Sequence, residues 1–224
     1  MHLHQVMQRW PAQHPSLIQL YSKNTPNGIK VALALEEMHL SYEAHAIDLQ
    51  AGDQHSDAFH IINPNGRIPA LIDPDGPDGH IISLMESGAI LRYLADKTGE
   101  FIPFDRAGKS ACDQWLFFQS AHIAPCCHLY SRCQHLDPAS DMLTDLLAEI
   151  KRGLSVLDQH LSRHTYMLGE SYSIADMAIA PWVAHLATGQ EYAPCKTQDF
   201  SALERWRRTV SQRPAFSRAS RVCP

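Results

Sequence analysis

Tyr21-Ser22-Lys23-Asn24-Thr25-Pro26-Asn27-Gly28 is the stretch that decides how this chain is read. An apolar run, Leu17-Ile18-Gln19-Leu20-Tyr21, stops at this polar turn, and a helical pattern from Ile29 to Met38 starts directly after it. That order is a strand feeding a helix N-terminus through a loop rich in hydroxyl and amide groups. The first N–H groups of a helix lack intrahelical acceptors, and the helix dipole is positive there. Such a place suits an anion, and a thiolate is one such anion.

Working outward, the first half alternates between strand and helix patterns. Leu17–Tyr21 and Tyr42–Ile47 read as strands around the Gly28–Met38 helix. After a polar loop, Ile68–Ile72 and His80–Leu84 flank the turn-rich insert Asp73-Pro-Asp-Gly-Pro-Asp-Gly79, which marks a β-hairpin. Glu86–Thr98 follows as a helix with Gly99 as its stop. The order is β-α-β and then β-β-α, which predicts one parallel pair from the crossover and antiparallel pairing from the hairpin. Residues 101–109 have the composition of a linker. The remainder, 110–224, reads as helical, with capping signals at Ser110-Ala-Cys-Asp113 and Ser173-Ile-Ala-Asp176 and a last amphipathic helix over Phe200–Arg213, ended before Pro214.

Composition narrows the function classes. The chain has 224 residues, is 45% hydrophobic and carries a net charge of −5 with no basic run, which argues against nucleic acid as a partner. No apolar stretch approaches the length that crosses a bilayer. Residues 1–16 lack the apolar centre of a secretory signal and read as a poorly ordered extension. The six cysteines, Cys112, Cys126, Cys127, Cys133, Cys195 and Cys223, form no Cys-x-x-Cys pair, so a disulfide scaffold is not expected and a reducing cytoplasm is. The run His122-Ile-Ala-Pro-Cys126-Cys127-His128 does not follow zinc spacings and reads as packing near a Pro125 kink, so no metal is expected.

Ile68-Pro69-Ala70-Leu71 and Met85-Glu86-Ser87-Gly88-Ala89-Ile90 resemble the glutathione-binding half of the glutathione transferase superfamily. Thr25-Pro26-Asn27-Gly28 narrows the likeness to the nu-class proteins, bacterial glutathione-dependent disulfide-bond oxidoreductases. Ser173-Ile-Ala-Asp176 matches the family's helical-domain start signal, and Trp206 to Pro214 resembles its closing helix, so the likeness spans roughly residues 17 to 218. It implies the glutathione transferase fold: an α/β thioredoxin-like domain at 17–100, a linker at 101–109 and an all-α domain at 110–224.

The resemblance also implies the site. Pro69 is cis in the family, which turns the Ile68 backbone outward to pair with the cysteinyl unit of glutathione like an added strand. Ser87, at the N-cap of the following helix, binds the γ-glutamyl carboxylate, and Glu86 accepts from the ligand's ammonium group. Gln54 reaches the glycyl end, and Arg67 stands near a glycyl carboxylate or simply at the surface. Thr25 and Asn27 are the expected catalytic pair. A free thiol has a pKa of about 8.5, so a thiolate at neutral pH needs a donor or a positive potential nearby. Tyr21 and Ser22 compete for that role; Tyr21 reads as a strand residue beneath the turn, Ser22 is a competitor because serine activates the thiol in some related classes, and Thr25 and Asn27 match more closely. The nu-class pattern adds a basic residue from the helical half, for which Arg132, Lys151 and Arg152 are candidates, with Asp145 as the other occupant of that position.

The implied reaction is thiol–disulfide exchange with glutathione as the thiol, in a cytoplasmic homodimer acting on a small disulfide. Conjugation of glutathione to an electrophile and a non-catalytic binding module are the alternatives on the same fold.

Overall fold

β1 (Ile18–Ser22) is the organising strand of the computed structural model, which describes residues 3–224. It pairs in parallel with β2 (Tyr42–Ala46), reached through α2 (Pro26–Glu37), and antiparallel with β3 (Ala70–Asp73). β3 pairs antiparallel with β4 (Ile82–Met85), giving the order β2-β1-β3-β4. The parallel pair and the hairpin are those the sequence predicts. Every residue of β1 is buried because both faces of the sheet are covered.

α2 covers one face and packs against α4 (Ser87–Thr98), which ends at Gly99 in the left-handed conformation, as expected. Val31, Leu33 and Leu35 of α2 and Ile90, Leu91 and Leu94 of α4 are buried. Burying each such side chain is worth about 1.5–3 kcal/mol. The other face carries Tyr21, Ile47, Phe59, Ile62 and Ile72, and the N-terminal segment joins them.

That segment corrects an expectation. From residue 3 onward it is not a loose extension: α1 (Leu3–Arg9) forms, and Leu3, Val6 and Trp10 are buried in this cluster. Trp10 lies edge-on to Tyr21 and Phe59, with ring centroids 5.9 and 6.1 Å away. Spacings of three and four residues put the three apolar side chains on one helical stripe, which is easily missed in so short and polar a segment. Residues 1 and 2 lie outside the described part.

The described residues up to Glu100, together with Pro214–Pro224, form one compact unit, and Phe101–Arg213 form a second. Two boundaries differ from the sequence reading. Asp105 already caps α5 (Arg106–Phe118), accepting from the Gly108 N–H at 2.8 Å, so the helix starts inside the expected linker. Pro214 starts α10 (Pro214–Ala219) rather than simply ending α9 (Ser201–Ser211); proline suits a first helical turn, whose N–H groups have no intrahelical partner. α10 packs on α2 and so belongs to the first unit.

The second unit is helical. After α5 comes one π turn at Gln119–Ile123, then α6 (Ala124–Leu136), with Pro125 in its first turn, and α7 (Met142–Leu161). At its centre α8 (Ile174–Thr188) is buried along most of its length. The Ser173/Asp176 capping box forms as the sequence signals.

Candidate functional site

The strand register assembles the site. Tyr21 pairs with Ala70, and Ala70 pairs with Met85. The end of β1, the start of β3 and the end of β4 therefore lie side by side at one end of the sheet. Thr25 and Asn27 follow the first, Ile68 and Pro69 precede the second, and Glu86 and Ser87 follow the third. Three stretches far apart in sequence meet because antiparallel neighbours alternate direction.

Thr25 is the N-cap of α2, with its Oγ1 accepting from the Gly28 N–H at 3.3 Å. The oxygen being an acceptor there, the hydroxyl proton remains for another partner. Pro26 occupies the first helical turn, where its missing N–H costs nothing. Gly28 is required by close approach: a Cβ there would stand 2.0 Å from the Lys23 carbonyl oxygen and 2.4 Å from Ser22 Oγ. The turn is braced from the C-terminal segment. The Asn24 N–H donates to the Cys223 carbonyl at 2.7 Å, Asn24 Nδ2 to the Ser220 carbonyl at 2.9 Å, and Lys23 Nζ to the Pro224 carbonyl at 2.6 Å.

At the second helix the structure differs from expectation by one residue. Glu86, not Ser87, occupies the cap position of α4, and its side chain makes no capping bond. Ser87 is the first helical residue, so no cap side chain covers the N–H groups of this turn. Glu86 has φ +68°, a positive-φ conformation that costs a non-glycine residue about 1–3 kcal/mol. Its side chain is exposed and Ser87 is half-buried.

Ile68 is half-buried, and the Ile68–Pro69 peptide bond is cis, as the family pattern predicts. Gln54 stands between β2 and α3 (Asp57–His60), half-buried, with Nε2 donating to the Leu49 carbonyl at 3.4 Å. Arg67 is exposed. Tyr21 is buried in the cluster beneath the sheet, stacked on His45 at 4.7 Å, and burial pushes its hydroxyl up to about 12. Ser22 Oγ is turned to the Lys23 carbonyl at 3.4 Å.

One residue of this neighbourhood escapes sequence reasoning. Lys30 is 1% exposed, and its Nζ donates to Asn27 Oδ1 at 2.8 Å and to Ser87 Oγ at 3.3 Å. It joins two side chains that the sequence places 60 residues apart (87 − 27) at the N-termini of two helices. Burial lowers its amine to about 7, and the Glu86 charge opposes that shift. The available signal was a lysine inside the otherwise apolar run Ile29–Leu35, three residues after Asn27.

Four of the protein's six thiols are poorly suited to nucleophilic work. Burial pushes the Cys126 and Cys127 thiols up, and those of Cys195 and Cys223 to about 11. Among the described residues no group of three or more His, Cys, Asp or Glu side chains is placed to share a metal ion. No helix among them is long and apolar enough to cross a membrane. In the helical unit Arg152 is held by Glu149 at 2.9 Å and by the His122 ring, while Arg132 and Asp145 are exposed and Lys151 half-buried.

Comparison with known proteins places this geometry. Residues 16–96 match the glutathione S-transferase N-terminal domain and residues 126–214 the C-terminal domain. The Escherichia coli disulfide-bond oxidoreductase YghU is 37% identical over 92% of this chain and 74% of its own length. YfcG, a second disulfide-bond oxidoreductase of that organism, is 37% identical over 91% of this chain and 94% of its own. Among solved structures, a Burkholderia graminis glutathione transferase with two glutathione molecules bound per subunit superposes with a TM-score of 0.93, at 42% identity, covering 96% of this chain and 92% of that one. A Pseudomonas putida glutathione transferase holding one glutathione disulfide per subunit gives 0.93 at 37% identity, covering 98% and 97%.

Proposed function

This chain belongs to the glutathione S-transferase superfamily, and from that premise we propose that it is a glutathione-dependent disulfide-bond oxidoreductase. The observation that carries the reading is the convergence of two helix N-termini, one capped by Thr25 and one without a side-chain cap, at one end of the sheet. Two oxidoreductases at 37% identity and relatives with glutathione or its disulfide bound support it.

In this reading the glutathione sulfur sits at the α2 N-terminus as a thiolate. The Thr25 hydroxyl and the Asn27 amide donate to it, and the helix dipole favours its charge. Ser87 and the first N–H groups of α4 take the γ-glutamyl carboxylate, and Glu86 takes the ammonium group. The Ile68 backbone, presented beside Pro69, pairs with the cysteinyl unit, and Gln54 serves the glycyl end.

The thiolate attacks one sulfur of a small disulfide. A new S–S bond forms, the old one breaks, and the second sulfur leaves as a thiolate that takes up a proton. A second glutathione, having lost its proton, attacks the mixed disulfide at the glutathione sulfur. Glutathione disulfide and a second reduced thiol result, so two glutathiones supply the two electrons. No protein sulfur takes part. A homodimer acting in the cytoplasm belongs to the same proposal.

The test is turnover of hydroxyethyl disulfide with glutathione, beside conjugation of a halogenated aromatic. The disulfide should be the faster substrate; a faster aromatic would assign the chain to conjugation instead. A Thr25→Ala, Asn27→Ala double variant that kept full turnover would remove both residues from the mechanism.

A further inference from the structure

Lys30 is an expensive residue at its position. Around it on α2, Val31 and Leu33 are wholly buried without any polar group to satisfy. An apolar side chain in its place would avoid the cost of desolvating an amine. Its amine reaches Asn27 at one helix N-terminus and Ser87 at another. The Asn27 atom facing it is the carbonyl oxygen, which accepts from the amine at 2.8 Å. The amide is thereby fixed with its NH₂ end turned away from Lys30.

We propose that Lys30 is a positioning residue of the glutathione site: it sets the direction of the Asn27 amide donor and ties that donor to Ser87, fixing the separation between the sulfur and the γ-glutamyl carboxylate of the ligand. The inference rests on the functional reading above and adds a residue to it. Acting through Asn27, Lys30 orients the donor that a sulfur anion requires, which sequence motifs alone do not specify. The charge that acts on it comes from Glu86 at the start of α4. Charged groups on the helices packed against α2 have partners of their own: Arg92 pairs with Asp96, Lys97 with Asp73 of β3, and Arg218 with Glu36 of α2.

The experiment is a double-mutant cycle on kcat/KM for disulfide turnover, using the parent chain, Lys30→Met, Asn27→Ala and the pair. Loss of a charge-assisted positioning bond predicts a fall of about 10- to 100-fold for Lys30→Met. Because Lys30 acts through Asn27, the pair should fall no more than about twofold below the weaker single variant. A merely structural lysine gives losses that multiply, and that outcome overturns the proposal, as does unchanged turnover in Lys30→Met. Lys30→Met should melt no lower than the parent, because the buried amine is gone. If it does not fold, a Ser87→Ala, Asn27→Ala cycle asks the same question: coupling of roughly threefold or more upholds the tie, and additive effects overturn it. Calorimetric titration of the parent with glutathione keeps the outcomes apart. A parent that neither binds nor turns over defeats the functional reading and this proposal with it, whereas an active parent with additive variants defeats only the role of Lys30.

Discussion

Asp176 is where a single substitution should be felt most, and its cost can be worked from four contacts. Its Oδ1 accepts from the Met167 N–H at 2.9 Å and from Trp206 Nε1 at 2.8 Å; its Oδ2 accepts from the Ser173 N–H at 3.0 Å and from Ser173 Oγ at 3.1 Å. The carboxylate is 0% exposed, and burial pushes it up to about 6 against the pull of those donors. Asp176→Ala strips three buried N–H groups of their acceptor, at about 1–3 kcal/mol each. Against this, the variant no longer buries a charge, a relief of about 3 kcal/mol at neutral pH for a shift of about two units. Broken buried networks typically cost 3–5 kcal/mol, and Asp176→Ala is expected to lose about that much. Asp176→Asn keeps the oxygen that serves Met167 and Trp206, sets an NH₂ group against the Ser173 N–H and carries no charge. It should lie within about 2 kcal/mol of the parent at neutral pH. The pH dependence has a definite sign. The folded carboxyl titrates above its ordinary value, so its contribution is complete below about pH 4 and is lost as pH rises through about 6. The parent should therefore gain stability from this group on acidification through that window, and Asp176→Asn should not. Urea unfolding followed by circular dichroism at pH 4.5 and 7.5 measures all of this. An Asp176→Ala variant within about 1 kcal/mol of the parent would refute the reasoning that these four contacts outweigh the cost of the buried charge.

Other predictions follow the same physics. Trp10→Ala, which empties the space between Tyr21 and Phe59, should cost about 3–5 kcal/mol of stability in urea unfolding, as truncating a buried aromatic does. Lys30 titrates near 7 instead of 10.5, so its contribution to stability is present above about pH 10 and lost as pH falls through about 7. Unfolding free energy should carry a rising slope of at most about 1.4 kcal/mol per pH unit across that window, absent in Lys30→Met. Cys223→Ser should keep disulfide turnover close to that of the parent, since its raised thiol takes no part in the exchange. Lost turnover with an unchanged melting temperature would bring a protein sulfur into the mechanism. Light scattering in solution should give the mass of two chains, and a monomer would remove the homodimer from the proposal.

What the sequence determined by itself is local. The Asp73–Gly79 insert could only turn a hairpin, the Gly28–Met38 run could only cross over as a helix, and Ser173 with Asp176 could only cap one. Each of these signals lies within a few residues of what it specifies, because hydrogen bonding in turns and caps reaches no further along the chain. The motif positions of Thr25, Asn27, Ile68, Pro69, Glu86 and Ser87 were legible in another way, through the resemblance of their short motifs to a known family. Their convergence depends on register, since only the pairing of Tyr21 with Ala70 and of Ala70 with Met85 brings three separate loops to one end of a sheet. Tertiary structure also decided that α1 and α10 belong to the first unit. Most of all it decided the state of Lys30: a lysine on an isolated helix would reach water, and this one is buried at 1% exposure with its amine bonded to Asn27 and Ser87.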